Sequence, residues 1–104
     1  MSGSPETLKG YVVDLICLRR YPAGEYAERA KRHTRSCALK GHCVESGFAL
    51  VGADGRVSLL DPEATPPVVQ AVRESDREAG VRLLVRREPQ DGAMRTVAVE
   101  EVTA

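Results

Sequence analysis

The sequence predicts a mainly β, mixed α+β domain: a five-stranded antiparallel OB-like barrel with an extra helix inserted after the first strand. Three observations carry that expectation. Residues 10–18, GYVVDLICL, form a β-branched and aliphatic run. Two further strand pairs are each centred on an Asp-Gly turn. Two helical patterns interrupt these strands, giving the order β-α-β-β-α-β-β. A two-layer α+β sheet is the alternative architecture.

Each element has a local reason. Residues 1–7 read as a polar N-terminal arm, and 8–104 as a single domain. Along 10–18, alternation puts Val13, Leu15 and Cys17 on one face and Val12, Asp14 and Ile16 on the other. Tyr21-Pro22-Ala23-Gly24 is a loop. From Glu25 to Leu39, Tyr26, Ala30, His33 and Cys37 fall on a single helical stripe, and Gly41 is the expected stop. Phe48–Val51 and Val57–Leu60 flank Asp54-Gly55, a strong hairpin signal. Thr65-Pro66 then reads as N-cap and first residue of a helix over 66–79, with Val68, Val72 and Ala79 inward and Gly80 at its end. Val81–Arg87 and Arg95–Val102 are strands around a Pro-Gln-Asp-Gly turn.

The chain has 104 residues, enough for one real core without disulfide or metal staples. It is 42% hydrophobic and 29% charged, with 15 basic and 15 acidic residues, which excludes disordered, collagen-like and strongly basic classes. No apolar run is long enough to span a bilayer, so no membrane partner is expected. The opening MSGSPETLKG lacks a charged-then-apolar leader, so a cytoplasmic location is expected, with a mature exported fragment behind a new Met1 as the alternative.

Charge and sulfur are unevenly placed. Residues 8–43 carry eight Lys/Arg against three acids, and they hold both histidines and all three cysteines. An odd number of cysteines cannot all pair within one chain, and their clustering with histidine points to metal or reactive-thiol chemistry. The proposed ligands are Cys17, His33, Cys37 and Cys43. His33 and Cys37 are spaced i, i+4, as on a helix that offers two ligands to one ion. Gly41 lets the chain fold Cys43 back, and Cys17 ends the first strand. Three thiolates and an imidazole suit zinc, with Cu(I) next because thiolates select it too.

Other readings stand beside this one. The cysteines can be small core residues, and His33 a satisfied core histidine. They can also be a redox pair. Arg19, Arg20 and Arg35 lie beside the ligands and could offset thiolate charge, although for Arg32 and Arg35 a merely solvated helix face is the better expectation. His42, adjacent to Cys43, is a spare or supporting group. Asp14 caps a loop or receives an arginine, and direct ligation by it would need a bulge.

Gly10-Tyr11-Val12-Val13-Asp14-Leu15-Ile16-Cys17, His33 to Cys37, Cys43, and Gly47 through Gly55 together resemble a group of small, poorly characterised bacterial domains. Their pattern runs Gly-x-Val-Val-Asp-x-x-Cys, then His-x-x-x-Cys, a further cysteine and a hairpin. The resemblance covers residues 10–60 and implies metal binding without a defined activity.

No hydrolase elbow, phosphate loop, dinucleotide fingerprint or zinc-protease motif is present, so no catalysis is expected. Single-stranded nucleic acid is an unfavoured partner, because Tyr11 and Phe48 are the only candidate stacking aromatics on strands. The sequence therefore predicts a small metal-binding domain, structural or metal-carrying, with a metal ion and conceivably a protein as its partners.

Overall fold

The computed structural model describes residues 4–102; the first three residues of the expected arm and the last two of the expected domain lie outside them. Strands β1 (Glu6–Asp14), β2 (Phe48–Val51), β3 (Val57–Leu59), β4 (Arg82–Gln90) and β5 (Ala93–Glu101) form one sheet in the order β3-β2-β1-β4-β5. Every neighbouring pair is antiparallel. The five antiparallel strands are as expected, but the sheet is not closed: β3 and β5 are its edges. Helices lie against both faces, so no concave interior is left for a barrel to fill with its own side chains.

Five short helices accompany the sheet: α1 (Leu15–Arg20), α2 (Tyr26–Lys31), α3 (Arg35–Ala38), α4 (Gly41–Ser46) and α5 (Thr65–Glu74). On one face, Val12, Phe48, Leu50, Leu83 and Val85 pack with Ala38 of α3 and Val68 and Val72 of α5. On the other, Val13, Ala49 and Val51 pack with Leu18 of α1 and Ala30 of α2. Neighbouring residues of the central strand β1 thus serve opposite cores, which is the period of two that an internal strand requires. Phe48 is 1% exposed, so one of the two candidate stacking aromatics is core.

Several local expectations are corrected. The first strand begins at Glu6, inside the segment read as an arm, and it stops at Asp14. Leu15, Ile16 and Cys17 do not continue it but open α1, because the Asp14 side chain accepts a hydrogen bond from the Cys17 amide and caps the helix. The single helix over 25–39 is two helices. Between them Thr34 makes an isolated antiparallel bridge with Ala79, and the Gly80 amide donates to the His33 carbonyl. Thr34 also caps α3 by accepting from the Cys37 amide, a hydrogen bond that competes with continuing α2. Gly41 starts α4 rather than ending a helix, and Gly47, at φ +90°, terminates it.

The later helix ends at Glu74, not 79, so Ala79 and Gly80 belong to a loop. Thr65 lies inside α5 behind a 3-10 turn (Pro62–Ala64) and makes no side-chain cap. The last hairpin turns on Asp91-Gly92, both at positive φ, with Pro89 and Gln90 still in β4. Arg32 is exposed and pairs with Glu28, as a solvated helix face would. Arg35 does not: it is half-buried and donates to the Ser75 carbonyl at 2.6 Å.

Candidate metal centre

The site forms where β1 ends and the two helical layers meet. Each contributing side chain is delivered by a turn or a helix end. Asp14 is the last residue of β1 and Cys17 lies in the first turn of α1. His33 occupies the link between α2 and α3, and Cys37 lies on α3. The 75–80 loop holds His33 in place. Its Gly80 amide takes the His33 carbonyl, and the Arg35 amide donates to Glu78 at 2.8 Å. Gly80 sits at φ +67°, and a Cβ there would stand 2.5 Å from the Lys31 carbonyl oxygen, so only glycine allows this approach.

Donor atoms of Asp14, Cys17, His33 and Cys37 all lie within 4.8 Å of one another and could hold a metal ion. The two thiols are 3.4 Å apart, Sγ to Sγ, and neither is in a disulfide. Zinc–sulfur bonds of about 2.3 Å in a tetrahedron imply a sulfur–sulfur distance of roughly 3.8 Å, so a small thiol rotation would suit an ion. His33 Nε2 lies 2.9 Å from Asp14 Oδ1. Both residues are enclosed, at 7% and 0% exposure.

The electrostatics assign the proton in that pair. Burial pushes the Asp14 carboxyl up, but the His33 hydrogen bond, the Cys17 amide and the charge of His33 outweigh it, and the group is held down at about 2. Asp14 is therefore a carboxylate that can only accept, so Nε2 carries the hydrogen and donates. Neutral His33 then keeps Nδ1 as its free lone pair. Burial, with Cys37 and Asp14 beside it, pushes the Cys17 thiol up to about 12. Cys43 is driven up to about 11 by burial and by the neighbouring Asp14 and Cys37. In the absence of a cation these sulfurs therefore hold their protons at neutral pH, and a bound cation would supply the charge that favours the thiolates.

Three of the four sequence-predicted ligands, Cys17, His33 and Cys37, are brought together. Cys43, buried on α4, adjoins Asp14 and Cys37 but falls outside the 4.8 Å group. Asp14 takes the fourth place. The sequence did carry a signal for it: an Asp three residues before Cys17 is an N-cap pattern, and a cap orients its carboxylate toward that first turn. His42 is exposed on α4 and lies outside the group.

No protein-family model matches the chain, and neither a curated protein nor a solved structure matches it. No described helix is long and apolar enough to cross a membrane.

Proposed function

We propose that this domain binds one thiophilic metal ion through Cys17, Cys37 and His33, with Asp14 completing the set. Its role is structural or metal-carrying, and it has no chemistry of its own. The convergence of four donor atoms within 4.8 Å, drawn from a strand end, two helices and a link, is the observation that carries the reading. The motif resemblance of residues 10–60 agrees with it. Zinc is the first choice, because two thiolates, an imidazole and a carboxylate are all zinc ligands. Cu(I) follows, because the thiol pair can hold it alone. Cys43 is the reserve donor that competes with Asp14 for the fourth position.

The test is elemental analysis of anaerobically purified protein and of four variants. Cys17→Ser and Cys37→Ser should each abolish retained metal, whereas His42→Ala should leave it unchanged. Asp14→Asn and Cys43→Ser decide the fourth ligand, since the larger loss identifies it. Metal-free protein, or metal retained equally in Cys37→Ser, refutes the proposal.

A second reading rests on the 3.4 Å between Cys17 and Cys37, close enough for a disulfide after a thiol rotation. Thiol titration before and after exposure to oxidised glutathione tests it. Loss of two free thiols per chain together with absence of metal would favour a redox pair.

A further inference from the structure

A metal site that only supports a fold is closed on all sides. This one is not. Asp14, His33 and Cys43 are buried, but Cys17 and Cys37 are both half-exposed. Beside them a cleft of about 420 Å³, lined by Tyr21, Glu25, Arg29, Arg32 and His33, runs from solvent to the histidine ring. Tyr21, which caps the end of α1, packs into the same apolar cluster as Cys17. Its phenol is pushed up to about 12 by burial and by the nearby Cys17, Asp14 and Cys37. The aromatic ring thus stands between the cleft and the thiol pair, on the one side where the protein does not wall the site in.

We infer that the site exchanges its metal through the Tyr21 cleft, by direct attack of an incoming chelating donor on the Cys17–Cys37 side. The inference rests on the metal-binding reading and selects carriage over a structural role. In the exchange step a lone pair of the incoming thiolate or carboxylate forms a bond to the ion as one cysteine-sulfur bond to it breaks. The released sulfur takes a proton from solvent, and the oxidation state of the metal does not change. Asp14 and His33 are held by one another and by the Gly80 loop, so they are the last donors to let go. The acceptor class is a small or loop-borne multidentate donor narrow enough to pass Tyr21.

The experiment loads the full chain with zinc, measures stoichiometry, and then follows transfer to the chromophoric chelator 4-(2-pyridylazo)resorcinol by stopped flow. The transfer rate of the wild type should rise in proportion to chelator concentration. Tyr21→Ala should speed transfer several-fold while leaving zinc affinity unchanged, and Tyr21→Phe should transfer like the wild type. A rate independent of chelator concentration at full zinc occupancy overturns the exchange route while leaving metal binding intact. Failure to bind zinc at all overturns both. The concentration dependence needs only the wild type, so it decides the matter even if Tyr21→Ala does not fold.

Discussion

Replacing Asp14 should reveal how one carboxylate serves two structural tasks. In the reduced, metal-free protein it caps α1 through the Cys17 amide at 3.0 Å and accepts from buried His33 Nε2 at 2.9 Å. Asp14→Ala loses the cap, worth about 1 kcal/mol. It also strands a buried imidazole N–H, which costs about 1–3 kcal/mol. The expected destabilisation is thus about 2–4 kcal/mol, a large share of the roughly 5–15 kcal/mol typical of a domain. Asp14→Asn keeps the cap, because Asn caps as well as Asp, and it loses only the charge assistance toward His33, about 1 kcal/mol. Urea unfolding at pH 7 with reductant and chelator, followed by circular dichroism, measures both.

The acid limb gives an independent check on the same residue. Asp14 titrates at about 2 in the fold against an ordinary 3.8, so its ionised form favours the folded state. That contribution, about 2 kcal/mol by linkage, is present above pH 3.8 and is lost as pH falls toward 2. Asp14→Asn should flatten this part of the stability curve. A wild-type-like midpoint for Asp14→Ala, or equal losses for Ala and Asn, would refute the two-task account.

Three other perturbations follow. Gly80→Ala forces a Cβ to 2.5 Å from the Lys31 carbonyl at φ +67°, so it should cost about 2–4 kcal/mol and weaken metal binding by shifting His33. Gly24→Ala, whose Cβ meets open space, is the control for positive φ alone. Arg35→Gln should destabilise by about 1–2 kcal/mol, because it removes the tie to the Ser75 carbonyl. Arg32→Gln should change little, under about 0.5 kcal/mol, since its pair with Glu28 is exposed. Finally, the thiols of Cys17 and Cys43 are raised to about 12 and about 11 from an ordinary 9.0, so the fold favours their protonated forms. Metal-free protein should keep its stability below pH 9 and lose it as pH rises toward 11, and Cys43→Ala should reduce that loss. An unchanged unfolding midpoint between pH 8 and 11 would contradict this.

The amino-acid sequence by itself determined the strands and their antiparallel pairing, because those depend on short-range patterns. Asp54-Gly55 and Asp91-Gly92 mark the two hairpins. Val12 and Val13 mark a strand with a core on each side, and β1 supplies exactly that pair of neighbours to the two clusters. Clustering of Cys17, His33 and Cys37 was legible too, as soft donors gathered in one basic third. The breaks in the helical region were not legible from periodicity. Tyr26, Ala30, His33 and Cys37 satisfy a helical stripe, yet the Thr34–Ala79 bridge and the Gly80 amide pull residues 32–34 out of the helix. Those partners are more than forty residues away, and a local repeat carries no information about them. Tertiary structure alone decided that Asp14, not Cys43, joins the group. The carboxylate turns inward because two donors fixed by different elements, the Cys17 amide and His33 Nε2, both need an acceptor at that one buried point.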